Sequence, residues 1–326
     1  MNKLYPLKFK PIFKEKIWGG EKIRTELGLD FSPLPNCGEA WVLSGVPGSE
    51  TKVMNGFLRG NSLNEILEIF MDDLVGEEMF GRDEKEFPLL IKFIDSKDWL
   101  SVQVHPDDAL AVRRNIGHGK TEMWYILDAE PGSELITGFN RQVNKDSYLE
   151  YLKHKKLPEI LNSEKVSKGD VFFIPSGRIH ALGPGILLAE IQQTSDTTYR
   201  IYDWDRVDEQ GRSRELHIDQ ALEAINFQPV INYRTEYLKI KNKTESLVDT
   251  PLFTTNILDF DQPVRKDYSQ FNSFVIYVCV EGSSLIHYDE NREILKKGEI
   301  LLIPAAMDRL VLKPVQTCKI LEVFVQ

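Results

Sequence analysis

Three cysteines in 326 residues, Cys37, Cys279 and Cys318, are too few, too scattered and odd in number for a disulfide framework, and no CxxC pair is present. A reduced, intracellular protein is expected. No run approaches the ~18 apolar residues of a membrane span. The opening Met-Asn-Lys-Leu-Tyr-Pro-Leu-Lys-Phe-Lys holds no apolar stretch of signal-peptide length, so the expected location is the cytoplasm. Positive charge is also in deficit: 40 Lys and Arg stand against 50 Asp and Glu, a net charge of −10. A general binder of nucleic acid or anionic membrane carries a basic face, so the balance argues against both partners. An anionic ligand would have to be captured by a few locally placed cations.

The composition is ordinary for a globular chain, 42% hydrophobic and 28% charged, and the length suits two domains. Short apolar, β-branched and aromatic runs bounded by Gly, Pro, Asn and Asp predict strands at 87–94, 100–105, 123–127, 170–175, 186–191 and 274–278. Helical spacing is confined to 62–74, 106–114, 145–161 (interrupted at Pro158) and 219–226. The run Lys168-Gly169-Asp170-Val171-Phe172-Phe173-Ile174-Pro175 returns as Lys297-Gly298-Glu299-Ile300-Leu301-Leu302-Ile303-Pro304. This echo predicts a duplicated β-barrel unit. The expected class is mainly β, with two jelly-roll barrels and a few short helices. The expected division is a first unit over 1–236, with the small helical segments, and a second barrel over 237–326. The polar stretch 239–246 reads as linker or solvated strand.

Gln103 and His105 stand two apart on a predicted strand, so their side chains share a face. Lys120-Thr121-Glu122 opens the next strand with a carboxylate, and His180 follows a turn leading out of another. Two imidazoles, a carboxylate and an amide oxygen make a four-ligand divalent site that suits Zn²⁺. Fe²⁺ or Mn²⁺ would accept the same set. His118, His154, His217 and His287 are expected to have no catalytic role. The segment Gly169-x5-Pro175-Ser176-Gly177-x2-His180 resembles the second cupin motif, whose His is a metal ligand. Gln103-Val104-His105 stands where cupins often carry His-x-His, and Pro184 where they carry Asn. Aligning Gly169 with Gly298 lays His180 over Arg309 and Gly177 over Ala306, so one metal per chain is expected.

A closer resemblance runs from about residue 9 to 210. Phe87 to Asp108, Gly119-Lys120-Thr121-Glu122-Met123-Trp124, Ile17-Trp18-Gly19-Gly20 and Gly38-Glu39-Ala40-Trp41 resemble motifs of type I phosphomannose isomerases. So do Pro175 to His180, Glu190 and Ser195-Asp196-Thr197-Thr198-Tyr199-Arg200. The resemblance implies a zinc enzyme interconverting mannose 6-phosphate and fructose 6-phosphate. Carried over by position, the ligands are Gln103, His105, Glu122 and His180, and the active-site arginine is Arg200. Lys92, Ser101, Lys120 and Asp196 match other active-site positions. The short spacing from Glu122 to His180 and Ile-Tyr-Asp-Trp-Asp-Arg after Arg200 are as in the short bacterial forms.

The chemistry moves a proton between C2 and C1 through an enediol. Zn²⁺ with two neutral His, one Gln and one Glu keeps a formal +1, which suits a Lewis acid on the sugar carbonyl. Arg200 supplies a permanently charged planar donor, with Asp196 as its candidate partner. On a strand Arg200, Tyr202 and Trp204 would share one face. Lys92 interrupts an apolar strand, and a buried Lys needs a partner. Ser101 and Lys120 are candidates to hold sugar or phosphate, and Glu190 is the candidate base. The alternatives are an Fe²⁺ cupin dioxygenase, disfavoured by the Gln ligand, and a non-catalytic sugar-binding cupin, which would not need the Lys92, Lys120 and Arg200 set. The expected partner is a small sugar phosphate, and the assembly a monomer or homodimer.

Overall fold

A computed structural model describes residues 3–82, 86–207 and 210–325. The chain is mainly β and its sheets are antiparallel. Two of them face each other in the first unit. One has six strands in the order Val171–Ile174, Glu122–Ala129, Ile186–Gln193, Leu89–Ser96, Glu39–Leu43 and Ile12–Lys14. The other has five, in the order Tyr199–Tyr202, Val102–Val104, His180–Leu182, Glu134–Phe139 and Leu161–Lys165. A third sheet builds the second unit from Thr244–Asp249, Thr254–Phe260, Arg309–Phe324, Val275–Tyr288 and Asn291–Lys296, with Val264–Asp267 and Ile300–Ile303 on its long strands. Every strand predicted from the pattern is present.

The helices also fall where the spacing puts them. Leu63–Val75 begins on a reciprocal capping box, in which Ser62 Oγ accepts from Glu65 N and Glu65 Oε2 accepts from Ser62 N. Asp107 caps Asp108–Arg114. Lys145–Lys153 ends before the 3-10 turn Leu157–Ile160, where Pro158 denies a helical N–H. Ile218–Ala224 is the last helix.

The six-stranded sheet is buried on both faces, which is why its central strands read as unbroken apolar runs. Side chains alternate across it. Leu89, Ile91 and Phe93, Met123 and Tyr125, and Leu187, Ala189 and Ile191 pack outward into one core with Phe274, Ile276, Val278, Leu302 and Leu321 of the second unit. Phe87 meets Phe274 at 4.6 Å between ring centroids. The N-terminal segment joins this core as well: Leu7 and Leu302 exchange both backbone hydrogen bonds, at 2.8 and 2.9 Å. The opposite face carries Lys92, Glu122, Trp124, Glu190 and Gln192 toward the five-stranded sheet.

The echo in sequence is an echo in register. Trp124 pairs with Phe172 on one side and Glu190 on the other. Tyr277 pairs with Leu301 and Glu322 in the same way. Glu322 therefore stands where Glu190 does, Asn256 where Lys92 does, and Val275 where Glu122 does. Both echo turns need a glycine at positive φ, +89° at Gly169 and +84° at Gly298. In the second unit Glu322 is satisfied internally, by Lys266 at 2.7 Å and the Tyr268 hydroxyl.

Candidate metal centre and its cavity

His105, Glu122 and His180 converge from the two facing sheets, with ligand atoms all within 4.8 Å of one another. All three are buried. His105 Nε2 lies 3.2 Å from Glu122 Oε1, and His180 Nε2 lies 3.8 Å from Oε2. His105 Nε2 and Glu122 Oε2 are buried without completing a hydrogen bond, and Glu122 Oε1 has the Lys120 ammonium beside it at 2.9 Å. Orphaned buried polar atoms are costly, and a divalent cation at their centre removes that cost. The two rings are prepared for it. His105 Nδ1 lies 3.0 Å from the Thr197 carbonyl and His180 Nδ1 2.9 Å from the Arg178 carbonyl. A carbonyl only accepts, so each Nδ1 carries the proton and each Nε2 offers its lone pair inward. Burial, followed by the Lys120 ammonium, pushes His105 down to about 3, and burial lowers His180 too. Both are neutral at neutral pH, as ligands must be. The Gln103 amide lies 3.1 Å from His180 Nε2 and pairs in register with both His180 and Arg200. Turned over, that amide presents its oxygen to the same point.

The spacing of His105-Pro106-Asp107-Asp108 and Gly119-Lys120-Thr121-Glu122 has a local cause. Asp107 Oδ1 accepts from Leu110 N at 2.7 Å and starts the helix. Asp108 Oδ1 accepts from Gly119 N at 2.8 Å and from Gln193 Nε2 at 3.1 Å. Gln193 Oε1 in turn accepts from Thr121 N at 2.9 Å. These bonds draw the returning loop onto the strand that begins with Glu122. A Cβ on Gly119 would lie 2.5 Å from Asp108 N, so only glycine passes there. The paired motifs Ile17-Trp18-Gly19-Gly20 and Gly38-Glu39-Ala40-Trp41 likewise press on each other. A Cβ on Gly19 would lie 2.5 Å from Gly38 N, and one on Gly38 would lie 2.7 Å from the Trp18 ring.

Beside the centre opens a cavity of about 300 Å³. Its sheet wall is one row of register partners, Trp124, Glu190, Lys92 and Trp41. Lys92 is buried, donates to Gln192 Oε1 at 2.6 Å and pairs with Glu190 Oε2 at 3.1 Å. Burial works against its charge, but Glu190 and Glu39 hold its pKa above the ordinary lysine value. Glu190 Oε1 accepts from Trp124 Nε1 at 3.0 Å. Burial lifts the Glu190 carboxyl above the usual range, against the pull of Lys92. Lys120 Nζ lies 2.9 Å from Glu122 Oε1. Lys14 and Lys92 flank the Trp41 ring at 4.7 and 5.1 Å from its centroid. Lys14, Lys16, Lys92, Lys120, Arg200 and Arg214 line the cavity against only three carboxylates, Glu39, Glu190 and Asp196.

The phosphomannose isomerase type I catalytic domain matches residues 6–143. A mannose-6-phosphate isomerase of Streptococcus mutans is 36% identical over 303 residues, covering 92% of each chain. One from Bacillus subtilis is 35% identical over 318 residues, covering 96% of this chain and 97% of the relative. The chain belongs to the type I phosphomannose isomerase family. The crystal structure of the mannose 6-phosphate isomerase from Bacillus subtilis superposes with a TM-score of 0.87 at 35% identity, over 98% of this chain and 99% of the other. A phosphomannose isomerase structure from Salmonella typhimurium, at 19% identity and TM-score 0.78, shows the same fold across 98% of this chain and 99% of its own.

Within this isomerase fold Gln103, His105, Glu122 and His180 meet at one point, and Ser101, Lys92, Lys120, Glu190, Asp196 and Arg200 line the adjoining cavity or its wall. Two expectations are corrected. Arg200 does not pair with Asp196; its Nη1 donates to the Glu215 carbonyl at 2.9 Å. Nor do Arg200, Tyr202 and Trp204 share a face. The strand bulges between Arg200 and Tyr202, and the chain turns at Trp204 and Asp205, with φ of +58° and +53°. Trp204 instead packs at a tilt against Trp99, 4.7 Å between ring centroids, and donates to the Leu100 carbonyl. Lys14, Arg214 and Asp203 were not singled out from sequence. Lys14 lies on a three-residue strand too short to show alternation, and Arg214 reaches the cavity from a segment without regular structure. No helix among the described residues is long and apolar enough to cross a membrane.

Proposed function

We propose that this protein interconverts mannose 6-phosphate and fructose 6-phosphate as a zinc-dependent aldose–ketose isomerase. The reading rests above all on the cavity, where six cations face three carboxylates in a chain of net charge −10. Such a local excess suits an anionic substrate. Gln103, His105, Glu122 and His180 would hold the metal, whose contribution when bound is Lewis-acid polarisation of the sugar carbonyl.

The chain's own groups carry the proton. Glu190 takes the C2 proton of the aldose and returns it to C1, and the proton from the C2 hydroxyl passes to O1, giving the ketose. The intermediate is an enediol. Lys92 holds Glu190 in place and balances its charge when ionised. Arg200 supplies fixed positive charge where the sugar oxygens become anionic. Ser101, Lys120 and Asp196 bind the substrate's polar groups. Residues 1–236 carry this machinery, and 237–326 form a second barrel without the ligand set. Three free, buried cysteines fit a reducing compartment, the cytoplasm.

The test is a coupled assay with mannose 6-phosphate, following fructose 6-phosphate with and without prior chelation. Turnover abolished by chelation and restored by zinc is the expected result. Metal-loaded protein that does not turn over the sugar phosphate would overturn the reading and leave a different cupin activity.

A further inference from the structure

The cavity's cations are not equally committed. Lys92 is spent on Glu190 and Gln192, Lys120 on Glu122, and Lys16 on Glu39 at 3.0 Å. Arg214 is held differently. Its Nε donates to Asp203 Oδ2 at 2.7 Å and its Nη2 to Asp203 Oδ1 at 2.5 Å. This side-on pairing fixes the guanidinium plane and leaves Nη1 with no protein acceptor among the described residues. Arg200 uses Nη1 on a backbone carbonyl, and its Nε is buried without a partner. Asp203 is itself buried and is shared with Arg206, whose Nη2 lies 2.6 Å from Oδ1. Two guanidiniums, Arg200 and Arg214, thus both line the cavity and repel each other, and Asp203 is already engaged by Arg214 and Arg206. A dianion with three acceptor oxygens that docks on the open Nη1 edge of Arg214 relieves this repulsion, and the planar fork of arginine matches it, while Arg200 stays with the reacting oxygens.

We infer that Arg214, oriented by Asp203, is the specificity-determining contact for the phosphate monoester of the substrate, beside Arg200. This deepens the isomerase reading and rests on it. Asp203 is a positioning residue that acts through Arg214. The Nη1 edge of Arg214 donates to the phosphate, so it contributes binding energy equally before and during the proton transfer.

The experiment uses the zinc-loaded full chain and its Arg214→Gln, Arg214→Lys and Asp203→Asn variants. KM and kcat for mannose 6-phosphate, competitive inhibition by inorganic phosphate, and calorimetric binding of phosphate are measured side by side. Arg214→Gln should raise KM and the phosphate inhibition constant by the same factor, tenfold or more, with kcat within threefold of the parent. Arg214→Lys should recover part of that loss, because charge returns without the fork. Asp203→Asn should shift both constants in the same direction by a smaller factor. Unchanged phosphate binding in Arg214→Gln, or a fall in kcat without a matching rise in both constants, overturns the assignment. If Arg214→Gln fails to fold, Arg214→Lys decides: wild-type phosphate affinity there overturns it. The calorimetry does not depend on turnover, so a parent that binds phosphate through Arg214 yet leaves mannose 6-phosphate unchanged would sink the isomerase reading alone.

Discussion

Glu190 sits between an ammonium and an indole, each engaging one of its oxygens. Buried, with its carboxyl raised above the usual range by burial, it is suited to accept and return a proton. Glu190→Gln should lower kcat by at least ~10²-fold, the usual scale of a positioned acid–base group, with zinc content unchanged. Its counterpart Glu322 provides the control, since Glu322→Gln should leave turnover intact; near-normal activity in Glu190→Gln would remove the assignment. Arg200→Lys should also cost at least ~10²-fold in kcat, because a lysine cannot reproduce a planar donor fixed on the Glu215 carbonyl. Parent-like activity with lysine there would end the catalytic role. The sheet-borne members of this site were readable from sequence because each breaks a local rule: Lys92 in an apolar strand, Gln103 and His105 at strand spacing, Glu122 opening a strand. Asp203 and Arg214 break none. Their meaning lies in a turn at positive φ that nothing in the order of residues announces.

At the scale of the element, the four-residue helix Lys22–Thr25 is anchored from outside. Glu21 gives it no side-chain cap. Asp95 does so from across the sheet, accepting from Lys22 N at 2.6 Å and pressing on Gly20, where a Cβ would meet its carboxylate at 2.5 Å. Burial pushes Asp95 up to about 6, more strongly than its two backbone N–H donors pull it down. A carboxyl raised on folding stabilises fully below its unfolded value and loses that contribution as pH rises through the folded one. Between about pH 4 and pH 6 the unfolding free energy should therefore fall by up to about 3 kcal/mol on this account. Denaturant titrations across that range should show the slope in the parent and not in Asp95→Asn; equal slopes would refute it. Helix ends and strand cores were legible because caps and alternation are local signals, whereas a cap delivered from 73 positions away is not.

For the whole molecule, the decisive feature is the core shared between the two units. Phe274 of the second is fully buried against Phe87 of the first. Phe274→Ala should cost about 3–5 kcal/mol and leave kcat per folded molecule unchanged, measured by denaturant midpoint and by assay. Calorimetry of the parent should give one transition, and two well-separated ones would mean that the shared core does not couple the units. The sequence echo announced the repeated turn and strand, but not that the second copy carries an apolar residue where the first carries a candidate ligand. That exchange shows only in register, with Val275 in the place of Glu122. The paired bonds between Leu7 and Leu302 carry a consequence for synthesis. At about 5–20 residues per second, Leu7 waits on the order of 15–60 s for its partner to be made. The N-terminal segment is thus left unlatched until most of the strand that carries Leu302 has been made. The apolar core that both units share is therefore completed only late in synthesis.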